Sequence, residues 1–216
     1  IIASVPKIML IKIPEKTPAY LTEADLSALL SLSWLDIHYK EAFKMYWETG
    51  MRLREAFHGK TDGDWFVISS SASKTGLYRE IKLKEYHKNI LLGLKRRLEI
   101  SNASFRTATG HYSKVFKKAV KDIGRGELHF HNLRDTFAIM RYLETRDIYQ
   151  VSKELGHTTV KVTEKYARFN IRRLAQDFPT LAKDYHENGR ILYEMGGSQM
   201  GGRMKNDKHI TERVMA

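Results

Sequence analysis

The sequence predicts a mainly α-helical fold with one small antiparallel β-sheet or hairpin. Three observations carry that expectation. Apolar residues recur at helical spacing along most of the 216 residues. Only two short runs, Trp65 to Ser69 and Tyr78 to Leu83, read as strands, and they flank a Ser/Gly-rich stretch of hairpin type. Glycines stand where helical patterns stop, at Gly50, Gly124 and Gly156.

Taken in order, residues 1–18 read as a linker or entering segment, punctuated by Pro6, Pro14 and Pro18. Thr22 and Asp25 form a helix-start box, and Leu26, Leu29 and Leu30 supply the apolar face behind it. A second helix runs from about Asp36 to Thr49, with Phe43 and Tyr46 turned inward and Gly50 ending it. The short glycine-bearing stretch between Glu55 and Trp65 suggests an abbreviated sheet. After the hairpin, helices are expected at about 84–99, 111–122, 132–145, 147–155, 159–168 and 170–184. From Gly189 onward, glycines among Met and charged residues read as a flexible tail. The expected division is therefore a linker at 1–18, one domain at 19–185, and a tail or protomer-exchange segment at 186–216.

Composition narrows the function. Apolar residues make up 42% of the chain, enough for a real core. Lys and Arg outnumber Asp and Glu by 37 to 25, a formal charge of +12 that suits a polyanion, nucleic acid first. The lack of cysteine excludes disulfides, thiol catalysis and cysteine–zinc sites. No apolar run reaches the ~18 residues of a membrane span. The apolar start, Ile1 to Leu10, lacks the basic opening and small-residue cleavage site of a signal peptide, so a cytoplasmic protein is expected.

Four motifs carry chemistry. Thr49-Gly50-Met51-Arg52-Leu53-Arg54-Glu55 places an arginine just after a helix-ending glycine, with Glu55 as its nearby partner. Ser73-Lys74-Thr75-Gly76-Leu77-Tyr78-Arg79 puts Lys74 in the hairpin segment, on a long flexible stem that can reach a leaving oxygen. In His131-Asn132-Leu133-Arg134-Asp135-Thr136-Phe137-Ala138, the i, i+3 spacing sets His131 and Arg134 on one helical face. Leu155-Gly156-His157 ends a helix, and Tyr166 follows nine residues after the histidine. Each motif alone has a structural explanation: a solvated cation, a capping histidine, one packed tyrosine among eleven.

As a set, Arg52, Lys74, His131, Arg134, His157 and Tyr166 match the needs of metal-free phosphoryl transfer to tyrosine. Guanidinium forks suit non-bridging phosphate oxygens. A phenol, with a pKa of about 10, needs help to lose its proton. The departing 5′ oxygen needs a proton donor.

These boxes, in this order and spacing, resemble those of the tyrosine recombinase family, which includes phage integrases and bacterial chromosome-dimer resolvases. The resemblance covers roughly residues 20–180. It implies a helical catalytic domain whose small sheet carries the lysine on a hairpin. By position, Arg52 and Arg134 would clamp the scissile phosphate, and His131 would accept the proton of Tyr166. Lys74 would protonate the 5′ oxygen, and His157 would hydrogen-bond the phosphoryl oxygens. Tyr166 would attack, giving a 3′-phosphotyrosine link and a free 5′ hydroxyl, and a second strand would reverse the step. No cofactor, metal or ATP is implied. The implied partner is double-stranded DNA carrying a specific site, bound by a homo-tetramer on two sites that forms from monomers.

Two features depart from the family pattern. Its hairpins often close with a proline-containing strand, whereas Arg79-Glu80-Ile81-Lys82-Leu83 stands here, which makes Lys82 or Lys84 the alternative to Lys74. The residues before Thr22 are too few for the helical domain that clamps the opposite face of DNA, so an isolated catalytic part or a minimal protein is expected. The same residues bear on rival readings. Gly59-Lys60-Thr61 ends like a phosphate loop, but position 54 is arginine where the loop needs glycine. A metal nuclease built on His129, His131 and Asn132 leaves Arg52, His157 and Tyr166 unexplained. A type IB topoisomerase shares the basic set and the tyrosine, and a DNA-binding module without catalysis could share the fold.

Overall fold

The computed structural model describes residues 17–71 and 76–182. Lys74, most of the expected entering segment and the whole expected tail lie outside the described residues.

Helix α1 (Glu23–Ser31) starts at a reciprocal box: the Thr22 hydroxyl accepts from the Asp25 amide at 3.1 Å, and the Asp25 carboxylate accepts from the Thr22 amide at 2.9 Å. Helix α2 (Ile37–Thr49) buries Ala42, Phe43, Met45 and Tyr46 and ends at Gly50 in the left-handed region, φ +61°. A Cβ at Gly50 would lie 2.3 Å from the Phe137 ring, so both the backbone and the packing require glycine there.

The stretch from Glu55 to Trp65 corrects the expected abbreviation. It supplies a one-turn helix α3 (Glu55–His58) and a strand β1 (Lys60–Asp62), which pairs antiparallel with β2 (Trp65–Ile68). Strand β2 also pairs with β3 (Arg79–Lys82), in the register Trp65↔Lys82 to Ile68↔Arg79. The sheet order is β1-β2-β3. β1 is polar and exposed on both faces, so it has no apolar alternation to announce it.

Helices α4 (Glu85–Ile100) and α5 (Phe105–Asp122) follow. α5 begins six residues before the expected 111, because Ser104 caps it and Gly110 sits on a face where an added Cβ meets nothing. Helices α6 (Asn132–Thr145) and α7 (Ile148–Leu155) come next. The expected helix at 159–168 is instead two 3-10 turns, Val160–Val162 and Glu164–Arg168. Thr158, Thr159, Val160, Val162 and Thr163 are all β-branched, which disfavours a continuous α-helix. Helix α8 (Ile171–Asp177) breaks at Phe178, and residues 179–182 add one further helical turn. No helix among the described residues is long and apolar enough to cross a membrane.

Two buried clusters result. One joins α1, α2, the sheet, α4 and α5 around Phe43, Tyr46, Phe66 and Phe116. The other joins α6, α7, Tyr166 and α8 around Ile139, Val151, Leu155, Leu174 and Phe178. Trp47 on α2 packs against both. The ends of α2 and α7 and the start of α6 meet at this seam, and Arg134 bridges them there.

Candidate active site

Arg134 is 2% exposed on the first turns of α6. Its Nη1 donates to the Gly50 carbonyl at 2.7 Å, and its Nη2 donates to the Leu155 carbonyl. Both acceptors close helices, α2 and α7, whose last carbonyls lack intrahelical partners and carry the negative end of the helix dipole. The fork thus fits two helix ends at once. Each terminal nitrogen keeps a second N–H, and Nε has its own. Burial pulls this guanidinium down to about 9, with Arg79 and Arg52 acting in the same direction and Glu55 and Tyr166 opposing. It remains a cation at neutral pH.

Arg52 follows Gly50 and is held by Glu55. The Glu55 carboxylate accepts from the Arg52 amide at 2.8 Å and from its Nη1 at 2.6 Å. The same carboxylate accepts from Arg79 Nη2 at 2.8 Å. Arg79 Nη1 donates onward to the carbonyls of Leu155 at 2.7 Å and Glu154 at 3.1 Å. Burial lowers Arg79 to about 10, with Glu55 opposing and Arg52 adding to the fall.

Tyr166 lies in the second 3-10 turn and is 2% exposed. Its hydroxyl donates to Asp135 Oδ1 at 2.6 Å. Lys165 Nζ reaches the same oxygen at 3.3 Å and sits 4.8 Å from the Tyr166 ring centre. Burial pushes the phenol far above its ordinary value; the Asp135 charge and hydrogen bond reinforce this, and Arg134 opposes it. The resting phenol is therefore protonated, and Arg134 is close enough to act on it.

His157 follows Gly156, the left-handed cap of α7 at φ +64°. Its Nδ1 is 2.8 Å from the Thr163 hydroxyl, which leaves Nε2 as the other polar edge. Burial lowers the ring to about 4, and Arg134, Arg52, Lys165 and Arg79 all push the same way. His131 keeps solvent exposure at the start of α6 and makes no capping bond with its side chain. Desolvation lowers it, Asp135 opposes, and Arg134, Lys165 and Arg52 reinforce the fall. Both imidazoles are neutral at neutral pH.

Five of the six expected residues, Arg52, His131, Arg134, His157 and Tyr166, thus lie within one electrostatic cluster. Lys74 falls outside the described residues. Neither alternative lysine joins the cluster. Lys82 is on the solvent side of β3, opposite Arg79, and Lys84 engages Glu48 and the Tyr86 ring. Sequence reasoning missed Arg79, Lys165 and Asp135 as members, and it treated Glu55 only as a local partner of Arg52. The two inward residues of β3, Arg79 and Ile81, were the available signal, since a charged residue at a core register position demands partners. Four cationic side chains (Arg52, Arg79, Arg134 and Lys165) face the carboxylates of Glu55 and Asp135, leaving two positive charges uncompensated. Such a site suits a phosphodiester, and it suits the greater negative charge of that group's pentacoordinate transition state better still. Among the described residues, no group of three or more His, Cys, Asp or Glu is arranged to hold a metal ion.

Comparison with known proteins identifies relatives of the chain. The chain is 26% identical over 204 residues to tyrosine recombinase XerC of Roseiflexus sp. (strain RS-1), covering 83% of this chain and 64% of that protein. It is 26% identical over 170 residues to a probable integrase/recombinase of Acholeplasma phage L2, covering 74% of this chain and 57% of that one. The chain therefore spans about three fifths of the curated relatives it matches. The fold is that of the crystal structure of XerA recombinase, with a TM-score of 0.55 and 22% identity over 81% of this chain and 66% of that one. The XerH recombinase bound to its difH substrate in a post-cleavage complex superposes similarly, with a TM-score of 0.54 and 21% identity over 80% of this chain and 54% of that one. The sequence model of the phage integrase family matches residues 19–173, well over half of the chain and the whole of the site described above, and the chain belongs to that family.

Proposed function

We propose that this chain carries the catalytic unit of a site-specific DNA recombinase, of integrase or excisionase type, that cleaves and rejoins strands through a 3′-phosphotyrosine link. The observation that carries the proposal is the convergence of Arg52, Arg134, His157 and Tyr166, from four separate segments, on one site of excess positive charge. Arg52 and Arg134 pair with the non-bridging oxygens of the scissile phosphate through the N–H groups their structural bonds leave over. The Tyr166 hydroxyl leaves Asp135 and attacks phosphorus, and His131 takes its proton. Neutral His157 donates a hydrogen bond to the phosphoryl oxygen. Lys74 protonates the departing 5′ oxygen. Phosphorus exchanges one ester oxygen for another, so the covalent link conserves the bond energy, and neither ATP nor metal enters the proposed steps.

In this reading residues 19–185 are the catalytic unit and residues 186–216 a tail or protomer-exchange segment. The partner is duplex DNA with a specific site, the assembly is a tetramer on two such sites built from monomers, and the reaction takes place in the cytoplasm. The excess of cations supports an anionic partner. The test is a nicked duplex site from which the cleaved fragment diffuses away. Wild type is expected to accumulate a covalent protein–DNA adduct. Tyr166→Phe is expected to bind the same DNA without forming one. A persisting adduct in Tyr166→Phe would assign the attack to another residue and refute the proposal.

A further inference from the structure

Arginine at an inward position of a strand is costly unless its charge is answered. Arg79 opens β3 opposite Ile68, on the same face as buried Ile81, and is itself 6% exposed. Its guanidinium spans two elements that are remote from the strand in sequence: the carboxylate of Glu55, and the last carbonyls of α7 at Glu154 and Leu155. Gly156 leaves room for it, since a Cβ there would lie 3.0 Å from Arg79 Cδ. Each contact leads to a group of the active site. Glu55 fixes both the amide and the guanidinium of Arg52. The Leu155 carbonyl is shared with Arg134 and stands two residues before His157.

We infer that Arg79 is a positioning residue for this site: its fork ties the Arg52–Glu55 pair to the α7–His157 corner, so that a phosphate meets both in one geometry. The inference rests on the recombinase reading above. Arg79 does not touch the phosphate in this scheme; it acts through Arg52 and His157. A planar fork is required, because the three acceptors belong to two elements. A lysine nitrogen reaching Glu55 would leave the end of α7 untied to the Arg52–Glu55 pair.

The test uses the full chain in single-turnover cleavage of two nicked substrates, one with an ordinary scissile phosphodiester and one with a methylphosphonate in its place. The methyl group removes the negative charge that the arginines meet, and with it most of the benefit of aligning Arg52. Arg79→Gln is expected to cleave the phosphodiester about 100-fold more slowly than wild type, in the range seen when one transition-state donor is lost. DNA affinity is expected to be unchanged. On the methylphosphonate the gap between wild type and variant is expected to shrink to less than about tenfold. An equal gap on both substrates would mean that Arg79 merely supports the fold, and would overturn the inference. Arg79→Lys keeps the charge without the fork and is expected to show the same pattern, which secures the comparison should Arg79→Gln fail to fold. A wild-type rate in Arg79→Lys would also overturn it. No adduct from wild type on the phosphodiester would remove the recombinase reading and this inference together. An adduct from wild type with unaffected Arg79 variants would remove this inference alone.

Discussion

Replacing Asp135 with asparagine is expected to speed the first strand cleavage. In the resting site the Tyr166 hydroxyl donates to Asp135 Oδ1 at 2.6 Å, and both residues are buried. In the proposed reaction, attack on a phosphate held by Arg52 and Arg134 requires that bond to break. A hydrogen bond to a charged group contributes about 1.5–3 kcal/mol, and one between neutral groups about 0.5–1.5 kcal/mol. An amide in place of the carboxylate keeps an acceptor of the same shape and removes the charge, so the restraint weakens by about 1–1.5 kcal/mol, which corresponds to about tenfold in rate. Two further effects share that sign. The carboxylate no longer raises the phenol, and Lys165 loses its partner and adds an uncompensated charge beside the ring. The assay is rapid-quench cleavage of a nicked site at saturating protein, with the covalent adduct resolved on a denaturing gel. Adduct formation at or below the wild-type rate, with DNA affinity unchanged, would show that Asp135 does not restrain the nucleophile, and the reasoning would fall.

Other consequences of the geometry can be measured directly. Gly50→Ala forces a side chain into the left-handed region and into the Phe137 ring, where the ideal Cβ lies 2.3 Å from it. The expected loss is about 3 kcal/mol, or about 6–12 °C in melting temperature. Cleavage is expected to fall with it, because the Gly50 carbonyl holds Arg134, and an unchanged melting point would contradict the packing described. Folded His157 is lowered to about 4 from an ordinary 6.5, so between those values the unfolded chain takes up a proton that the folded chain does not. Its contribution to stability is complete above pH 6.5 and is lost as the pH falls towards 4. The loss is at most about 3 kcal/mol, and about 2 kcal/mol once solvent screening of the half-buried ring is allowed for. Urea unfolding of wild type and His157→Gln at pH 7 and 4.5 is expected to show the larger fall in wild type; parallel profiles would refute the assignment.

Much of the fold was legible because it depends on local chemistry. The Thr22–Asp25 box, the glycine stops at 50 and 156, and the apolar faces of α2 and α6 are written in residues within one or two turns of each other. The candidate residues were legible in the same way, as boxes of characteristic order and spacing. Errors arose where no local pattern exists. β1 is polar on both faces, and α5 carries a harmless glycine near its start. The segment after His157 is β-branched and coils more tightly than an α-helix.

Residue types and their order determined the helical class, the cationic balance and the list of candidate groups for phosphate chemistry. Only the tertiary structure decided how those groups are held. Arg134 is aimed by the ends of two helices that lie 84 and 21 residues from it in sequence. Arg79 enters the site through the register of a strand, and Tyr166 rests on Asp135 rather than free. Such arrangements depend on which buried charges find partners across distant segments, and desolvation makes that choice only once the chain has closed around them.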